Sequence, residues 1–112
     1  MAIAQDAPFH YEVEESTDHT GWKTTTIHCH GKLVNQTAGQ VKDLVKPLIA
    51  SGGRIVLDFA DLEYLDSSGL GAVVGLKVSA LHQGLCKLEL ANLSPRIKDL
   101  LKMTNLIQLL TS

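Results

Sequence analysis

Two periods organise the apolar positions of this chain. Alternation of period two runs through FHYEVEES (9–16) and WKTTTIHCHGKLV (22–34), and the polar stretch TDHTG between them predicts an antiparallel hairpin. In the second strand Thr24, Thr26, His28 and His30 share one face, while Thr25, Ile27 and Cys29 share the other. The period then changes. In TAGQVKDLVKPLIAS (37–51), Val41, Leu44, Val45, Leu48 and Ile49 recur three and four apart, the stripe of an amphipathic helix. Thr37 followed by Gln40 fits a capping box, and Gly52-Gly53 supplies the stop. Pro47 lies off the stripe and is expected to kink or loosen the last turn.

RIVLDF (54–59) is a short, continuously apolar strand of the buried type, followed by ADLEYL (60–65). A second helix is expected over SGLGAVVGLKVSALHQG (68–84), with Leu70, Val73, Val74, Val78 and Leu81 at core spacing and Lys77 snorkelling from the edge. CKLELANL (86–93) is a strand in which Leu88 and Leu90 alternate with Lys87 and Glu89. Ser94 as N-cap and Pro95 at the first helical position announce a third helix, and NLIQLLTS (105–112) reads as a last short strand or a docking tail.

The order is β-β-α-β-α-β-α-(β). Strands alternating with helices imply a single α/β domain, residues 9–112, behind a flexible lead-in of residues 1–8. Its sheet is mixed, four- to five-stranded and mainly parallel, with three or four helices and right-handed crossovers, opened by the hairpin.

Composition narrows the function classes. With 112 residues, 45% hydrophobic and 20% charged, the chain supports one modest core and does not read as disordered. Ten basic residues are scattered and the net charge is −2, which speaks against a nucleic-acid footprint. No apolar run is long enough to span a bilayer and the N-terminus lacks an apolar signal core, so a cytoplasmic protein with no direct membrane insertion is expected. Two cysteines, Cys29 and Cys86, are too few for a disulfide framework and are expected as free thiols in strands.

Candidate chemistry concentrates in LDSSGLGAVVG, residues 65–75. A nucleophile elbow needs a glycine two positions before its serine, and Leu65-Asp66 precedes Ser67. A P-loop needs a lysine closing its glycine run, and Lys77 lies deep in the helix. The run GLGAVVG is a weak dinucleotide fingerprint, being late in the chain and inside a helix. His28-Cys29-His30 offers at most two ligands from one side of a strand, short of the four a structural zinc site takes, so no metal or other cofactor is assigned. A helix start fits best, with Ser67 or Ser68 as N-cap and a positive end suited to an anion. Ala72, Gly75 and Ser79 are expected on the face opposite the stripe, a smooth surface that another protein's backbone could approach. Alternatively, Gly71 and Gly75 seat the helix tightly on the sheet.

From residue 54 to about 110 the sequence resembles STAS domains, in particular bacterial anti-sigma factor antagonists, with a looser likeness back to about residue 22. The resemblance rests on Asp66-Ser67-Ser68-Gly69-Leu70-Gly71 after the strand ending at Asp58, and on Ser94-Pro95 followed by a Leu-Leu pair and Asn-Leu-Ile. It implies a partner switch and not an enzyme. The unmodified antagonist binds an anti-sigma factor serine kinase and releases a sigma factor. Phosphorylation of the serine after the motif aspartate, here Ser67, ends that binding, and a metal-dependent serine phosphatase resets it. The implied contact surface comprises Asp66, Ser67, Ser68, Gly69, Gly71, Ala72, Gly75 and Ser79. One position departs: the family often has Gly-x-Leu-Asp at the end of the second strand, and here Gly31-Lys32-Leu33-Val34 stands, followed by Asn35. Some STAS domains are instead unphosphorylated scaffold subunits, for example of lipid-transport assemblies, and Val34 keeps that alternative open.

Overall fold

A computed structural model describes residues 9–111, so the lead-in expected over residues 1–8 lies outside the described residues, as does Ser112. Strands β1 (Phe9–Thr17) and β2 (Lys23–Leu33) are followed by α1 (Ala38–Ser51), β3 (Gly53–Leu65), α2 (Ser67–Gln83), β4 (Cys86–Ala91), α3 (Pro95–Met103) and α4 (Ile107–Thr111). The sheet has the order β1-β2-β3-β4, antiparallel between β1 and β2 and parallel thereafter. The mixed four-stranded sheet and four helices are within the expected architecture. The last segment is not a strand: it docks on the domain as the short helix α4, whose Leu110 is fully buried.

One face of the sheet carries the core. Ile27, Cys29, Ile55, Leu57, Phe59 and Leu88 alternate inward and meet Val41, Val45 and Ile49 of α1 and Leu70, Val73 and Leu76 of α2. This is the alternation expected for β2, and it leaves Thr24, Thr26, His28 and His30 half-buried on the other face. The helices do not cover β1, where Tyr11 and Val13 stay exposed.

Three local expectations are corrected. Strand β3 continues through ADLEYL to Leu65, because a bulge re-phases it: Asp58 pairs with His28 and Asp61 with His30, so Phe59 and Ala60 together oppose Cys29. Thr37 makes no capping box. Its hydroxyl donates to Lys32 O at 2.9 Å and accepts from Val34 N–H at 2.9 Å, which closes the β2–α1 turn instead. The helix runs through Pro47 to Ser51, ending on a tighter three-residue bond from Gly52 N–H to Ile49 O. Gly53, with φ +92°, is needed at the next step, since a Cβ there would lie 2.8 Å from Lys23 O.

The third correction concerns which side of α2 is inside. Val78 and Leu81 are exposed, while Ala72, Leu76 and Ala80 are buried with Leu70 and Val73. The buried arc is thus turned about a quarter turn from the expected stripe. Lys77 does not snorkel: it is 3% exposed, and its Nζ donates to Leu88 O at 2.7 Å. Desolvation by burial holds its pKa below the ordinary lysine value.

Candidate functional site

Strands β2 and β3 end side by side, and each delivers one wall of the site. The end of β2 leads into Val34 and Asn35, and the end of β3 leads through Asp66 into α2. Asp66, not either serine, is the N-cap. Its backbone is extended at φ −97° and ψ −175°, and its Oδ1 accepts from Gly69 N–H at 2.9 Å. Its Oδ2 accepts from Asn35 N–H at 3.2 Å, and its own N–H donates to Leu33 O at 3.2 Å. One aspartate therefore locks the first turn of α2 to the β2–α1 loop.

That role for Asp66 frees Ser67. Ser67 is the first helical residue, its side chain is exposed, and among the described residues nothing bonds its hydroxyl. The Ser67 and Ser68 N–H groups have no backbone partner among the described residues, as the first donors of a helix do not. Ser68 is half-buried, and its hydroxyl donates to Asn35 Oδ1 at 3.3 Å. Val34 is half-buried beside this loop, so the acid that the family often has there is replaced by an apolar side chain with its backbone in the turn.

Of the residues expected at the contact surface, Asp66, Ser67 and Ser68 are brought together at the tip, and Gly71, Gly75 and Ser79 are exposed along the helix. Gly69 and Ala72 are not on that surface. Both are buried, because the inward arc of α2 includes them. The sequence reading also missed Val78, Leu81 and His82, which are exposed on the same side as Ser67 and Gly71; these positions recur at helical spacing and carried that signal. Gly71 and Gly75 are not packing devices. A Cβ on either would meet nothing within 4 Å, which removes the reading that they seat α2 on the sheet.

The second histidine-bearing region is separate. Among the described residues no group of His, Cys, Asp and Glu converges as a metal-ligand set. Both cysteines are free and buried in strands as expected, and burial pushes the Cys29 thiol up to about 12, far from a reactive thiolate. Among the described residues, no helix is long and apolar enough to cross a membrane.

The sequence profile of the STAS domain matches residues 10–111, nearly all of the described chain. The chain belongs to the STAS domain family. This STAS domain is 32% identical over 94 residues to the anti-sigma-B factor antagonist of Listeria monocytogenes, covering 83% of this chain and 77% of that protein. It is 31% identical over 80 residues to the anti-sigma-B factor antagonist of Bacillus subtilis, covering 71% and 72%. Its fold is similar to the solved structure of the anti-sigma factor antagonist SpoIIAA in its unphosphorylated form, with a TM-score of 0.68 and 25% identity over 87% of this chain and 82% of that one.

Proposed function

We propose that this STAS domain is an anti-sigma factor antagonist that works by binding and not by catalysis. Its α2 surface docks on an anti-sigma factor serine kinase and so releases a sigma factor, and phosphorylation of Ser67 ends the docking. The observation that carries this reading is the placement of Ser67. It is the exposed, unbonded hydroxyl at the first position of α2, at the head of a small-residue and apolar face. In the transfer, Ser67 Oγ attacks the γ-phosphorus of ATP, the bond to the ADP oxygen breaks, and a base of the kinase takes the serine proton.

The site is built to accept the product without unfolding. A phosphoryl group brings about −1.5 to −2 charges. The helix N-terminus favours an anion by about 0.3–1 kcal/mol, and the free N–H groups of Ser67 and Ser68 are available to it. Asp66 opposes it, but that carboxylate is already committed to two amides. The fold persists while the surface beside Gly71 changes sign and bulk, which repels a partner seated there. A serine phosphatase is the resetting partner.

The test is incubation with the cognate kinase and ATP, followed by mass mapping: phosphate on Ser67 and none on Ser67→Ala is expected. Ser67→Asp is expected to weaken kinase binding at least about tenfold, a loss of about 1.4 kcal/mol, with the melting curve unchanged. A second reading is favoured by the apolar Val34: an unphosphorylated scaffold subunit of a larger complex, such as a lipid-transport assembly. A pull-down that returns assembly components and no kinase, with no label on Ser67, selects it.

A further inference from the structure

The sheet face turned away from the core holds an arrangement that the α2 site does not use. On β2, His28 and His30 each stand between a carboxylate of β1 and one of β3. His28 has Nδ1 2.7 Å from Asp58 Oδ2 and Nε2 2.9 Å from Glu14 Oε1. His30 has Nδ1 2.5 Å from Asp61 Oδ2 and Nε2 2.9 Å from Glu12 Oε1. A neutral imidazole offers one N–H and one lone pair. With a carboxylate at both nitrogens, the neutral ring turns its lone pair on an anionic acceptor, and only the doubly protonated ring donates at both ends.

The two bridges flank the β3 bulge at Phe59 and Ala60, the point where the pairing of β2 with β3 shifts. The surrounding charges are few. From β1, His10 stacks on His30 with centroids 4.6 Å apart and planes 10° apart. On β3 itself the Ala60 N–H donates to Asp58 Oδ1 at 3.0 Å; beyond β3, Asn92 donates to the same oxygen at 2.9 Å, and Glu89 pairs with both Lys87 and Arg54 of β3. No cation among these competes for the bridging carboxylates.

We propose that His28 and His30 form a proton-operated clamp that fastens β1, β2 and β3 across the bulge, closed while both rings carry two protons and released when either loses one. Both imidazoles are held above the ordinary value of 6.5. Glu14 and then Asp58 raise His28, Asp61 and then Glu12 raise His30, and burial opposes both. A base whose folded-state pKa is raised contributes stability in full below its unfolded value and loses it as pH rises through the folded value. The clamp is therefore tight below pH 6.5 and opens as pH rises through the folded-state values above it. It joins the strands directly upstream of Leu33 and Leu65, where β2 and β3 hand over to the Asn35–Asp66 contact.

Ring-nitrogen NMR of the full chain, titrated from acid to alkaline pH, tests this without any substitution. His28 and His30 are expected to keep both protons to higher pH in the folded chain than in the urea-denatured chain. Identical titration in the two states overturns the clamp. Urea denaturation near pH 6 and near pH 8.5 then reads its effect. The native chain is expected to lose stability between these conditions and His28→Gln/His30→Gln is not, whereas equal pH dependence overturns it. If that double variant does not fold, amide exchange of β1 in the native chain replaces it. Protection, corrected for intrinsic exchange, is expected to fall about tenfold at the higher pH, and constant protection again overturns the proposal.

Discussion

A methyl group at position 69 would lie 2.1 Å from Leu33 O and 2.9 Å from Leu65 Cδ1, so α2 reaches β2 only because Gly69 has no side chain. Backbone cannot yield as the end of a flexible side chain can. Gly69→Ala is therefore expected to cost about 2–3 kcal/mol, the upper end of the overpacking range, measured by urea denaturation. Asp66→Ala removes the acceptor of both the Gly69 and the Asn35 amides, and is expected to cost about 1–2 kcal/mol by the same measurement. Ser67→Ala breaks no bond among the described residues and is expected to stay within about 0.5 kcal/mol of the native chain. The three values separate a structural cap from a modifiable hydroxyl, two roles that adjacent residues in DSSGLG share out. The family resemblance put the modifiable hydroxyl at Ser67, but the sequence offered Ser67 or Ser68 as the cap, which is Asp66. Asp and Ser are both good N-caps, and only the backbone turn at Asp66 selects between them.

The helix α2 poses the same problem one level up. Its surface glycines are exposed and unconstrained by packing, so replacing Gly71 or Gly75 with alanine is expected to stabilise the fold by about 0.5–1 kcal/mol each, by lowering the entropy of the unfolded chain. If α2 docks as proposed, the same substitutions are expected to weaken kinase binding, because the added methyl stands on the proposed docking face. Stabilisation without loss of binding would place the partner elsewhere. Element types and order up to α3 were readable from periodicity, because β2, α1 and β4 each bury one regular face. The inward arc of α2 was not. Small and large apolar residues lie around most of this helix, so the large ones alone marked a stripe about a quarter turn from the true one, and buried Ala72 read as surface. The length of β3 was hidden for a different reason. Two register shifts each add one residue to the strand, at Phe59–Ala60 and at Glu63, so Leu62 and Leu65 return to the core at intervals of three instead of two.

Across the whole molecule the sheet divides labour between its faces. Helices and core occupy one, and a polar layer of carboxylates, histidines and Arg54 occupies the other. That layer was invisible in the sequence, because its partners lie 14 to 35 residues apart and meet only through strand register. It gives the fold a pH profile with two limbs. On the acid side, burial works against ionised Asp58, but hydrogen bonds from Asn92, the Ala60 amide and His28 outweigh it and hold the carboxyl below its ordinary value. Glu89 is held below its own by the two-pronged hydrogen bonds of Arg54, at 2.7 and 3.1 Å. Acids with depressed folded-state pKa contribute stability above their unfolded values, 3.8 and 4.5 for these two, and lose it as pH falls through the folded ones. The raised histidines work in the opposite sense and lose their contribution on the alkaline side of 6.5. Stability is thus expected to peak in the mildly acidic range between these limbs, and a series of urea midpoints across pH measures it. Neutralising the acid limb with Glu89→Gln is expected to flatten the low-pH side while leaving the alkaline fall in place, because Glu89 bonds Arg54 and Lys87 but neither imidazole. A profile that rises steadily into alkaline pH would mean that the polar face carries no protons into the folding balance, and that the two imidazoles fold neutral.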